Sequence, residues 1–274
     1  MSGQRDELAG PPAPEESVWN ALHDTGREQF DNFFECWIGE QERYLQELQA
    51  ASPDPSLDDG QLRRLISTVV QHYEHYYMNK AIYAKHNVTA MFSPSWTSTL
   101  EDALLWVGGW RPSTAFHLLY SKSGIEFESH LESLLRGVAG PDVGHLSLRQ
   151  LAQVDELQRR IIKEEREITE KQAELQETVA NVTMVELSHA VTERRLKPET
   201  AAERVETSVE SMSEGLQKVL EKADNLRLRT LKDLVDLLNP IQAVHFLTAA
   251  AELHLRLHEW GKQRDGAAAA AACA

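Results

Sequence analysis

Residues 202–226 read AERVETSVESMSEGLQKVLEKADNL, and the apolar members Ala202, Val205, Val209, Met212, Leu216, Val219, Ala223 and Leu226 recur at alternating steps of three and four. That rhythm keeps one face of an α-helix apolar and leaves the rest to polar residues, the pattern of helices packed in a bundle or coiled coil. Thr230 interrupts the series, and Leu231, Leu234 and Leu238 resume it out of phase. Immediately downstream, Asn239-Pro240-Ile241-Gln242 supplies an N-cap, a first-turn proline and a third-position glutamine, which together start another helix. Its pattern ends at Trp260-Gly261. Upstream, Val154, Ile161, Ile168, Leu175, Val182 and His189 repeat every seven residues from Ser147 to Arg195. The companion positions Leu157, Glu164, Lys171, Thr178 and Val185 are apolar only at the two ends. A sustained coiled coil fills both positions. The spacing therefore predicts a long helix that projects in part or seats against one neighbour.

The first half of the chain is helical as well. Thr25 and Glu28 stand at capping-box spacing ahead of Phe30, Phe33, Phe34, Trp37, Tyr44, Leu45 and Leu48, and Pro53 and Pro55 end that run. Leu62, Leu65, Ile66, Val69, Tyr73, Tyr76 and Tyr77 predict a helix over 61–86. Ser98 and Glu101 repeat the capping-box spacing before Leu100, Ala103, Leu104 and Val107, with Gly108-Gly109 as a stop and Pro112 as the start of the next helix. No segment alternates apolar and polar residues as a half-buried strand does. The fold class is all-α: a multi-helix bundle with one or two long helices and disordered tails. The expected divisions are an N-terminal tail over 1–16, a helical domain over 17–262 and an alanine-rich tail over 263–274.

Composition narrows the function. The chain has 274 residues and 43 acidic against 28 Lys and Arg side chains, a formal charge of −15. That charge opposes non-specific binding to phosphate backbones. Two cysteines, Cys36 and Cys273, exclude a disulfide framework and a four-cysteine zinc module. The start of the chain lacks the apolar run of a secretory signal, and the most apolar stretch, 241–257, carries His245, Glu252, His254 and Arg256, which bars a transmembrane reading. A soluble protein of nucleus and cytoplasm is expected. No phosphate-cradling glycine loop, zinc-protease motif or serine elbow occurs, so no enzyme is expected.

Ser93-Pro94-Ser95-Trp96 and Leu104-Leu105-Trp106-Val107-Gly108-Gly109-Trp110-Arg111-Pro112-Ser113 resemble the plant Delay-of-Germination domain, which also forms the C-terminal half of TGA-type bZIP transcription factors. Ala223-Asp224-Asn225-Leu226-Arg227 with Thr230-Leu231, and the ending from His254 to Gly261, extend the likeness from about Phe30 onward. TGA factors carry a basic region ahead of this domain. Here residues 1–30 hold two basic side chains, Arg5 and Arg27, against six acidic ones, and a basic helix needs several Arg and Lys for one DNA groove. The chain looks like a stand-alone member, and direct sequence-specific DNA binding is disfavoured.

The resemblance implies a regulatory adaptor of seed dormancy and abscisic-acid signalling. Its implied partners are clade A type-2C protein phosphatases, met through Asp31, Phe33, Phe34, Glu35 and Trp37. Alternatives are transcriptional regulation with a TGA bZIP partner, or a developmental role in pollen apertures. His254 and His258 share a helix face four residues apart. Spacing alone leaves them as satisfied core histidines or as metal ligands; the resemblance implies haem, with these two as iron ligands. Two side chains leaving one helix in one direction reach opposite porphyrin faces with difficulty, so one is the axial ligand and the other its neighbour. Phe33, Phe34 and Trp37 could equally pack into the bundle. His72 and His75 read as a helix surface, Cys36 as a small buried hydrophobe, Trp106, Trp110 and Arg111 as an aromatic-packed turn, and 163–177 as a solvated charged face.

Overall fold

The computed structural model describes residues 14–52, 57–135, 146–193 and 198–272, with side-chain detail from residue 29 onward and not for 125–135, 198, 199, 201 or 272. Among these the secondary structure is helical, without strands: α1 (Pro14–Ala51), α2 (Asp59–Ala84), α3 (Val88–Phe92), α4 (Thr99–Asp102), α5 (Thr114–Leu135), α6 (Leu148–Glu177), a 3₁₀ turn (Thr178–Ala180), α7 (Val182–Thr192), α8 (Pro198–Leu237) and α9 (Pro240–Ala272). Parts of the ranges expected as tails are helical. Residues 1–13 and 273–274 lie outside the described residues, whereas 14–16 open α1 and 263–272 continue α9. Gly261 does not stop the last helix, because the alanines beyond it have the highest helix propensity of any residue. Thr25 does not start the first one, which is already under way from Pro14. The glycine-containing break expected at 137–144 lies outside the described residues.

The heptad pattern of residues 202–226 belongs to α8, a single 40-residue helix that runs straight through Thr230. The Thr230 hydroxyl donates to the Leu226 carbonyl 2.7 Å away, so the out-of-phase residue is satisfied inside its own helix. α6 lies antiparallel on α8, tied by Arg160–Asp233 at 3.3 Å and by Arg229 to Glu164. The long helix predicted to reach residue 195 is broken. Thr178 Oγ1 donates to the Leu175 carbonyl at 2.6 Å, and the Asn181 side chain then caps a new helix by accepting from the Met184 N–H at 2.8 Å.

α9 is the central rod, packed against α1, α2, α4 and α5. Its start is as predicted: Asn239 accepts from the Gln242 N–H and Gln242 returns the bond to the Asn239 N–H. One apolar core runs through α1, α2, α5, α6, α8 and α9 around Phe116, Val154, Ile161, Leu226, Leu234 and Phe246. A second, aromatic core joins α1 to α2 around Phe30, Phe34, Trp37, Met91 and Trp96. Burying each such side chain contributes roughly 1.5–3 kcal/mol. Among the described residues no helix is long and apolar enough to cross a membrane.

Candidate functional site: an aromatic cavity behind a glycine loop

The signature residues 104–113 form a loop, although the helix opened at Ser98 was expected to continue through Val107 before the Gly108-Gly109 stop. The Ser98–Glu101 capping box is present, but it opens only the single turn of α4. After it Val107 and Gly108 take positive φ, 48° and 64°. A Cβ on Gly108 would collide with the Met91 carbonyl oxygen, which explains glycine there. Three loop carbonyls point at one side chain: Arg227 donates to the carbonyl oxygens of Trp110 (2.6 Å), Val107 (3.0 Å) and Trp106. Lys80, 1% exposed, donates to the Gly108 carbonyl (2.7 Å) and pairs with Asp224 (3.0 Å), which also receives Arg227. On the outer side Arg111 pairs with buried Glu165 at 2.8 Å and Trp106 donates to Thr169 at 2.9 Å. Glu165, inside the charge run read as solvated, is thus a core residue.

Behind the loop lies a cavity of about 220 Å³, lined among others by Phe34, Trp37, Tyr76, Tyr77, Trp110 and His254. Trp37 and Trp110 flank the His254 ring, with centroids 5.6 and 6.1 Å away. Burial lowers the His254 pKa to about 4, so the imidazole is neutral near pH 7. Burial likewise lowers Lys80 to about 8, against the pull of Asp224, and pushes the Tyr76 and Tyr77 hydroxyls up.

The predicted site residues divide. His258 is buried, its ring on Phe34 at 5.6 Å and its Nδ1 3.0 Å from the Glu101 carboxylate; Nε2 is buried without a hydrogen-bond partner among the described residues. Only His254 of the pair lines the cavity. A haem sandwiched between them does not fit, because both rings leave one helix in one direction and only one faces the open space. Nor does a haem on one imidazole: the Nε2 of His258 is enclosed off the cavity, and the space beside His254 suits one or two rings, not a four-ring macrocycle. Among the described residues no group of three metal-binding side chains occurs.

The proposed partner-binding set is also split by helical phase. Phe30, Phe34, Trp37 and Gln41 face inward, and Phe34 and Trp37 are 2% and 3% exposed, which takes them out of any recognition surface. Phe33 is half-buried beside Tyr76 and His75. Asp31 accepts from Ser95 at 3.0 Å, and exposed Glu35 pairs with Lys262 at 2.7 Å. Cys36 is exposed, not buried, since it shares the outward phase of Glu35. His72 is buried rather than on the surface, its ring parallel to Trp37 at 4.7 Å, and burial lowers its pKa to about 4.

The sequence reading missed the Lys80–Asp224–Arg227 cluster and Glu101. A signal existed: Lys80 continues the inward stripe of Leu62, Ile66, Val69 and Tyr73, and a lysine in such a place needs a buried partner.

The family described as "DOG1: Seed dormancy control" matches residues 44–121. Protein DOG1-like 3 of Arabidopsis thaliana is 32% identical over 237 residues, covering 84% of this chain and 82% of its own. Protein RESPONSE TO ABA AND SALT 1 of the same plant is 25% identical over 86% of this chain and 96% of its own. Transcription factor TGA10, also from Arabidopsis thaliana, is 29% identical over 83% of this chain but 45% of its own length. Residues 44–121 contain the glycine loop, Lys80, Tyr76, Tyr77 and Trp110, and on the identity and coverage of its relatives the chain belongs to the DOG1-like family of seed-dormancy regulators.

Proposed function

We propose that this chain is a non-catalytic adaptor of seed dormancy and abscisic-acid signalling, present in nucleus and cytoplasm, that binds clade A type-2C protein phosphatases. The supporting observation is the outward edge of α1. Asn32, Glu35 and Cys36 are exposed there beside half-buried Phe33, on a helix whose other face is locked into the core by Phe34 and Trp37. A rigid helix with an acidic, partly aromatic edge suits recognition by a partner surface. The similarity to a relative named for its response to ABA and salt supports the signalling context. The test is capture of purified clade A phosphatase by wild-type protein and by Glu35→Lys together with Asn32→Arg. At least a tenfold loss in the variant is expected; a wild-type protein that captures none ends the proposal. Transcriptional effects, suggested by the likeness to TGA10, would run through a TGA bZIP partner. The isolated chain should give no gel shift with TGACG-containing DNA.

A further inference from the structure

The cavity is built for a ligand in ways that neither phosphatase binding nor haem uses. Its entrance is apolar: Leu104 and Leu253, both on its wall, are 49% and 42% exposed. Its sides are aromatic, with Trp37, Trp96, Trp110 and the neutral ring of His254. An apolar cavity of about 150 Å³ takes benzene. The 220 Å³ here therefore matches one substituted ring or a fused pair.

The remaining wall is polar and offers donors. An ammonium group has three N–H donors; Lys80 gives one to Gly108 and one to Asp224, which leaves the third. The Tyr76 and Tyr77 hydroxyls belong to the same wall and have no protein partner among the described residues, while the neighbouring Tyr73 hydroxyl receives Gln41. Two cations, Lys80 and Arg227, line this end, and the Asp224 carboxylate they share is not part of the cavity wall. Glu101 also touches the cavity, but its carboxylate is engaged by His258 and Ser98.

We propose that this cavity binds a compact, ring-bearing carboxylic acid, the carboxylate received by Lys80 Nζ and the hydroxyls of Tyr76 and Tyr77, the ring lying among Trp37, Trp110 and His254. A neutral ring would leave the third Lys80 N–H unmatched, and a flexible alkyl acid would lose more conformational entropy on entering a space shaped by flat walls.

Isothermal titration calorimetry of the full chain with 2-naphthoate, 2-naphthamide and decanoate tests this. Naphthoate should bind, with the amide and the alkyl acid each at least tenfold weaker. Tyr76→Phe with Tyr77→Phe deletes two hydroxyls without opening the core and should weaken naphthoate at least tenfold. Ala250→Leu, which fills the cavity, should abolish binding and serves where the tyrosine variant fails to fold. Absence of naphthoate binding, equal affinity for amide or decanoate, or undiminished binding by a folded variant would each overturn the assignment.

Discussion

Nδ1 of His258 on α9 lies 3.0 Å from Oε2 of Glu101 on α4, joining residues 157 apart in the chain. Burial by itself would raise the Glu101 pKa. The hydrogen bonds from His258 and from the Ser98 side chain and backbone outweigh it and hold the carboxyl at about 2. A carboxyl depressed on folding stabilises the native state above its ordinary pKa of 4.5, and that contribution is lost as pH falls toward 2. His72 and His254 act in a higher window. Both are lowered by burial from 6.5 to about 4, so the unfolded chain takes up their protons first, and stability declines as pH falls from 6.5 to 4. Thermal unfolding followed by circular dichroism should therefore show two successive acid losses. Glu101→Gln should flatten the lower one and His72→Phe should reduce the upper; a melting temperature constant from pH 7 to 4 contradicts the burial of both histidines.

Asp224 receives Lys80 and Arg227 in the interior. Asp224→Asn leaves two buried cations without their counter-charge and should cost about 3–5 kcal/mol, read as a lower urea midpoint. Because Arg227 and Lys80 hold the carbonyls of the signature loop, the same variant should increase hydrogen exchange at residues 106–110. A loss below about 1 kcal/mol would mean that the cluster is solvated.

Three glycines make opposite predictions. Gly108 has φ 64° and abuts the Met91 carbonyl, so Gly108→Ala should destabilise by about 1–2 kcal/mol from backbone conformation alone. A Cβ at Gly261 would overlap the buried Ser98 side chain, and Gly261→Ala should cost about 1–3 kcal/mol and loosen α4 from α9. Gly39 has open space around it within α1, so Gly39→Ala should stabilise by about 0.5–1 kcal/mol. Denaturation midpoints of the three variants check the signs.

Trp37 and Glu35 are two residues apart and belong to different worlds. Trp37→Ala removes a side chain packed on His72, Tyr73 and Tyr76 and should cost about 3–5 kcal/mol. Glu35→Lys breaks only the exposed pair with Lys262 and should change stability by less than about 1 kcal/mol. Loss of partner binding in Trp37→Ala would thus report unfolding, whereas loss in Glu35→Lys reports a surface. A large destabilisation by Glu35→Lys would remove that distinction.

The helices and the strong start at Asn239 were legible in residue spacing, since amphipathic periodicity and capping act within a few residues of chain; the stripe of α6 promised one neighbour without saying that it is α8. Reading failed where a few local residues competed. The capping box at Ser98 promised a helix through Val107, but Arg227 and Lys80 capture the carbonyls beyond it and hold a loop. The break at Thr178 was hidden by heptads that continue on either side of it. For the site, helical phase brought His254 and His258 to one face, yet it could not say that one lines a cavity and the other is buried against Glu101.

What the sequence determined alone is a set of amphipathic helices, their caps and the acidic character of the surface, because these follow from propensity, periodicity and charge. What only the tertiary structure decided is which residues of α1 face inward, which charges pair across α2 and α8, and where a cavity opens. Those outcomes depend on contacts between residues such as Lys80 and Asp224, 144 positions apart, for which chain proximity carries no information.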